Sequence, residues 1–202
     1  MALKEFEMTQ AATHQPLRSS LVEEIKSSRD VNVTKCYQCG KCSAGCPLAE
    51  EMDLPPSLVM RMLQTGDPQL EERVLRSHAI WLCLTCETCF TRCPMEIDIP
   101  IMMDFLRQRA LRLGLANRRA RRGIIAFHRA FLDSVRFTGR LFEVGMTVDY
   151  KARSQHLLQD LLVAPVMFLK GKLHLLPERI KARRQLKRIF SRTRQRRGDE
   201  AG

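Results

Sequence analysis

Little in this chain points outside the cell or into a membrane. The N-terminus, MALKEFEMTQ, carries acidic residues and no apolar segment, so no export signal is expected there. The longest apolar stretch, LLVAPVMFL at 161–169, is far shorter than a spanning helix needs and is broken by Pro165. Neither end carries a lipidation signal, and the only biased tract is a basic tail. The five histidines (His14, His78, His128, His156, His174) have no metal-binding spacing and are not expected to be ligands. The expected location is therefore cytoplasmic, soluble or peripherally attached to a membrane. In that reducing compartment stable disulfides are disfavoured.

Cysteine is absent except in two blocks. Residues 36–47 read CYQCGKCSAGCP and residues 83–94 read CLTCETCFTRCP. Each holds four cysteines spaced x2, x2, x3, followed by proline, and every position repeats at an offset of 47 residues. Structural zinc usually takes two Cys-x2-Cys pairs separated by a longer loop, whereas here three thiols follow in one tight turn. The run C-x2-C-x2-C-x3-C-P is instead the bacterial cubane signature, and in two-cluster proteins the fourth cysteine ligates the other cluster. Two [4Fe–4S] clusters are thus expected. The crossover rule gives the first Cys36, Cys39, Cys42 and Cys93, and the second Cys83, Cys86, Cys89 and Cys46. Backbone N–H groups of such loops point at the sulfurs, and Pro47 and Pro94 turn the chain away. Full sets of four thiolates leave no open iron position, which favours electron transfer over substrate binding. Fold and cluster should be coupled, so the apo-protein should fold poorly.

Acid is scarce in the second half. Residues 1–100 hold 10 Lys+Arg against 14 Asp+Glu, whereas residues 101–202 hold 24 against 8. Arg107 to Arg122 contains seven arginines and no acid, and Arg179 to Arg197 ten basic residues and no acid. Such runs suit an acidic partner subunit, an anionic membrane surface or nucleic acid. The last is disfavoured, because no nucleic-acid module is recognisable and the tail has few aromatics for stacking.

Strand signals are almost missing. VNVTK at 31–35 is expected to be a short extended stretch. LVEEIKSS at 21–28 reads as a short helix. PPSLVMRMLQTG reads as a helix with prolines at its start, Gly66 at its end, and Leu58, Met62 and Leu63 on one face. Asp67-Pro68 opens another helix through about residue 76, with Glu71 and Glu72 in its favourable first turn. Asp98 and Pro100 open a third, closed by Gly114, with Met102, Leu106, Ala110 and Leu113 as its apolar stripe. A further helix is expected from about Asn117 to about Thr138. GRLFEVGMTVDYK shows no clear period and is expected to be irregular, and QHLLQDLLVAP to be helical. The tail reads as a basic helix from Pro177 to roughly residue 190, with Leu186, Ile189 and Phe190 as a narrow apolar edge and loose chain beyond. The expected class is mainly α: an α-helical ferredoxin domain with two cubane loops and a helical basic C-terminal extension.

CYQCGKCSAGCP, then WLCLTCETCFTRCP followed by MEIDIP, resembles the C-type iron–sulfur proteins of heterodisulfide reductase and their bacterial relatives. The likeness covers about residues 30–115 and includes Tyr37-Gln38, Trp81-Leu82 and Ile97-Asp98-Ile99. The expected division is an N-terminal extension at 1–29, the ferredoxin domain at 30–115 that the likeness covers, and, outside the likeness, a basic helical C-terminal extension at 116–202 whose charge suits a docking segment. The resemblance implies that the eight cysteines are cluster ligands. It also implies a non-catalytic electron relay between a flavin-containing A-type subunit and a B-type subunit whose CCG domains hold the thiol/disulfide site. Longer relatives carry CCG domains after the same ferredoxin module, but no cysteine follows Cys93 here. The rival class is an iron–sulfur redox sensor or nucleic-acid-binding protein that uses the basic half. Tyr37, Lys41 and Arg92 lie in the loops and are candidates for tuning the potentials. Trp81 is a candidate to shield the second cluster or simply to fill the core.

Overall fold

The computed structural model describes residues 20–155, residue 180 and residues 182–199. Every regular element among them is helical. The chain divides into two compact units, residues 1–117 and residues 118–202.

The first unit starts with α1 (Leu21–Arg29), whose N-cap Ser20 accepts a hydrogen bond from Val22 N. Leu21 and Ile25 of α1 are fully buried, so this helix is part of the core of the first unit. Next, VNVTK forms a 3-10 turn at Val33–Lys35 and not an extended stretch. Asn32 explains the difference: its side chain accepts from Thr34 N at 3.1 Å and tightens the backbone into a turn. The first cysteine loop contains α2 (Lys41–Ala44), followed by a 3-10 turn at Ala49–Glu51.

Helices α3 (Pro56–Gln64) and α4 (Pro68–Arg76) follow, each with proline at its start. The buried face of α3 is Pro56, Val59, Met60, Met62 and Leu63; Leu58, expected on that face, is exposed. Asp67 caps α4 by accepting from Gln69 N at 2.9 Å. The short α5 (Ala79–Leu82) leads into the second cysteine loop, which contains α6 (Thr88–Thr91). Then α7 (Ile99–Arg112) opens at Asp98, which accepts from Ile101 N at 3.0 Å. Met102, Met103, Leu106 and Ala110 of α7 have no exposure. This helix packs against α1, α4, α5 and α6 and is the spine of the unit.

In the second unit α8 (Arg118–Ala120) runs through a π-helical segment, Arg121–Ile125, into α9 (Ala126–Thr138). Gly123, a poor helix former, lies inside the π segment. Helix α9 stops at Gly139, whose φ of 89° only glycine adopts without strain. GRLFEVGMTVDYK is not irregular, because α10 (Glu143–Ser154) spans most of it. Its support comes from a neighbour more than from an apolar stripe: α10 packs on α9, and Arg153 bridges Asp149 and Asp133, each at 2.8 Å. The last described helix, α11 (Arg183–Asp199), extends well past residue 190. Its run of arginine, lysine and glutamine has good helix propensity throughout. In α11, Ile189 is exposed and Leu186 and Phe190 are half-buried. The expected helix QHLLQDLLVAP and the leading residues 1–19 lie outside the described residues.

Candidate metal centres

The two cysteine loops share more than spacing. Gln38 and Thr85 are equivalent under the 47-residue offset, and both take a left-handed backbone, with φ of 62° and 53°. The same holds for Gly40 and Glu87, at 76° and 61°. Such alternation turns successive N–H groups towards a common concavity. In each loop the third cysteine, Cys42 or Cys89, is the second residue of a short helix and is buried. The second, Cys39 or Cys86, is exposed. The loops also touch each other. Helix α2 packs on α6, and the Arg92 side chain lies so tightly over Gly45 that an added Cβ would come 2.1 Å from its Nη1.

One cavity is lined by Cys46, Cys83, Cys86 and Cys89, together with apolar residues that include Met52, Ile99 and Met103. The cavity is partly open to solvent. Three of its thiols come from the second block and the fourth from the first. Around the other loop, the Tyr37 phenol is raised by desolvation and by three neighbouring thiols, Cys39, Cys93 and Cys36. Among the described residues no three His, Cys, Asp or Glu side chains converge on one point as they would for a single ion.

Burial pushes the Cys42 and Cys83 thiols up, and Cys89 up to about 12. A buried thiolate without a cation is costly, so these residues need iron beside them to ionise. Cys86 is shifted the other way by hydrogen bonds from the Thr88 side chain and backbone. Soft thiols, apolar walls and separated sulfurs fit a cubane, whose irons sit at distinct corners.

Two side chains that spacing alone did not single out hold the loops. Gln64 Nε2 at the end of α3 donates to Val33 O at 3.2 Å and Cys36 O at 2.6 Å. Its Oε1 accepts from Gln38 Nε2 at 2.6 Å, and Gln38 N also donates to Cys36 Sγ at 3.4 Å. In the second loop the clamp is Arg107 of α7. Its Nε donates to Ile80 O at 2.5 Å, and its Nη2 donates to Cys83 O. Val33 and Ile80 are equivalent under the repeat, as are Cys36 and Cys83. A neutral amide and a guanidinium thus grip the same two carbonyls of the two loops. Elsewhere, Asp53 accepts from His78 N at 2.9 Å and Ala79 N at 2.8 Å, fixing the start of α5 just before Cys83. Trp81 is buried in α5, in keeping with a core position next to this loop. Lys41 and Arg92 are exposed at the loop surfaces.

Residues 32–97 match the 4Fe-4S dicluster domain family. The chain is 37% identical over 97 residues to the iron-sulfur C-type component of CoB–CoM heterodisulfide reductase from Methanopyrus kandleri, covering 48% of this chain and 49% of that protein. It is 34% identical over 102 residues to the second C-type component of the same reductase from Methanocaldococcus jannaschii, covering 49% and 53%. It is 31% identical over 106 residues to the C-type component of the ferredoxin:CoB-CoM heterodisulfide reductase of Methanosarcina mazei, covering 52% and 63%. The chain spans about half the length of the curated relatives it matches first. The segment around both cysteine blocks is therefore a 4Fe–4S dicluster domain with two [4Fe–4S] clusters, of the kind found in the C-type iron–sulfur proteins of heterodisulfide reductases.

Proposed function

We propose that this chain is a non-catalytic electron-transfer subunit of a heterodisulfide reductase-like complex. Cys36, Cys39, Cys42 and Cys93 hold one cluster, and Cys83, Cys86, Cys89 and Cys46 hold the other. The observation that carries this reading is the cavity lined by Cys46 together with Cys83, Cys86 and Cys89. The clusters supply one-electron storage at two neighbouring centres. The chain's own residues hold them and exclude water. Met52, Ile99 and Met103 wall the second site, Gln64 and Arg107 fix the loop carbonyls, and Asp53 anchors the helix ahead of Cys83. Four thiolates per cluster leave no iron open to a substrate, so electrons pass through to a partner. The relatives are named as one component of a larger reductase, which supports a multi-subunit setting. The partner set implied by the family resemblance is a flavin-containing A-type subunit and a B-type subunit with the thiol/disulfide site. The basic second unit is the docking segment. No helix among the described residues is long and apolar enough to cross a membrane.

Anaerobic iron and sulfide analysis tests the cofactor content, with about eight of each expected per chain. Replacing Cys46 by serine tests the ligand set. Spectroscopy that resolves the clusters should show damage at the Cys83–Cys89 cluster and an intact second signal. Damage confined to the Cys36–Cys42 cluster would reject the crossover.

A further inference from the structure

The two clamps grip equivalent carbonyls but differ in charge. Gln64 and its partner Gln38 are neutral, whereas Arg107 brings a guanidinium, 20% exposed, against the peptide of Cys83. A reduced cluster carries one more negative charge than an oxidised one. A nearby cation therefore favours the reduced form, and a neutral amide in the same place does so less. We propose that Arg107 makes the cluster on the Cys83–Cys89 loop the higher-potential centre, so that electrons entering at the Cys36–Cys42 loop run downhill towards it. This rests on the cluster reading above, but only on Cys83, Cys86 and Cys89 sharing one cluster and not on the crossover.

Other charges near the loops weigh less. Asp104 pairs with Arg107 Nη1 at 2.9 Å, but its side chain is 54% exposed, while Arg107 Nε and Nη2 face the loop. Asp104 tempers the effect without cancelling it. Lys35, Lys41 and Glu87 are exposed and screened by solvent. Arg92 is exposed and lies over Gly45 of the first loop while belonging to the second, so it is a solvent-screened neighbour common to both loops.

The test is an anaerobic redox titration of the full chain followed by EPR, with Cys86→Ser used to mark which signal belongs to the second loop. Arg107→Gln should lower the reduction constant of that cluster about tenfold, ~59 mV for one electron, and leave the other unmoved. Arg107→Lys, which keeps the charge but not the two-pronged grip, should restore most of the loss. Asp104→Asn should move the same midpoint upwards. If Arg107 variants do not assemble, Gln64→Lys provides the converse: the first cluster's midpoint should rise and the gap narrow. Equal shifts of both clusters in Arg107→Gln, no shift, or a gap unchanged by Gln64→Lys would overturn the inference. A failure of the ligand reading would look different: Cys46→Ser and Cys86→Ser would alter different signals while the Arg107 response persisted.

Discussion

Replacing Glu71 should loosen the first helix of the ferredoxin unit, and the size of the effect follows from its two hydrogen bonds. The Glu71 side chain is 1% exposed, and its Oε1 accepts from Leu21 N at 3.0 Å and Ser20 Oγ at 3.1 Å. Hydrogen bonds to a charged acceptor contribute about 1.5–3 kcal/mol each. Burial gives part of this back: it pushes the Glu71 carboxyl above its usual range, and the hydrogen bonds from Leu21 and Ser20 only partly oppose it. A net loss of about 2 kcal/mol is expected for Glu71→Ala, which opens α1 roughly thirtyfold more often. Amide hydrogen exchange on the holo-protein reads this directly, since α1 can open without global unfolding. Unchanged protection of the α1 amides in Glu71→Ala would refute the reasoning. The pH dependence adds a second check. The folded protein holds the Glu71 proton over a window above 4.5 in which the unfolded segment has lost it. The docking stability of α1 therefore falls as pH rises through that window and then levels off. Glu71→Gln keeps the acceptor and removes the titration, so the difference from wild type should vary with pH in this direction. Glu24 and Asp67, which repel the carboxylate, remain in both proteins and cancel in the comparison.

Two other perturbations probe separate parts of the chain. Asp53→Ala removes the acceptor for His78 N and Ala79 N, a cap worth about 1 kcal/mol. Iron should then leave the cluster beside Cys83 several-fold faster in a chelator challenge while the other cluster is retained, and equal loss from both would show that the cap acts elsewhere. Gly139→Ala would force a Cβ to 2.2 Å from Ile180 Cγ1 at a φ of 89°, costing about 1–3 kcal/mol in the second unit. Its thermal unfolding should shift down with the visible absorption of the clusters unchanged, whereas an unshifted transition would mean the turn relaxes freely.

The chemistry was legible because it sits in residues that have no alternative. Eight thiols in two repeated runs define two cubane loops from spacing, and helix starts at Asp67 and Asp98 follow from their caps. Legibility ended where a long-range contact gave a residue its role. Glu71 looks like an ordinary first-turn acid favoured by the helix dipole, yet it is a buried partner of α1, fifty residues away. Arg107 looks like the first member of a solvated basic run, yet it holds the second cysteine loop; Arg109 of the same run pairs with Glu24 of α1 at 2.9 Å. The clamps are invisible to a repeat search for a physical reason. Only the loops repeat at 47 residues, while the supporting helices do not. Gln64 lies 28 residues after Cys36, and Arg107 lies 24 residues after Cys83. Likewise, α10 has no readable stripe because packing on α9 and the Arg153 pairs support it.

The uneven charge takes on a sharper meaning once the unit boundary is known. Residues 1–117 hold 13 basic and 15 acidic residues, whereas residues 118–202 hold 21 and 7. The excess positive charge therefore belongs to the second unit, and the cluster-bearing unit is nearly neutral. A positive charge shared evenly by both clusters would raise both potentials together and leave the gap between them to local groups. In a nearly neutral unit, one guanidinium that is mostly shielded from solvent keeps its influence local, because exposed charges are screened within about 10 Å at ordinary ionic strength. The excess positive charge thus lies in the second unit, where the proposed docking of an acidic partner would use it. Within the cluster-bearing unit the proposed difference in potential then rests on the contrast between Gln64 and Arg107.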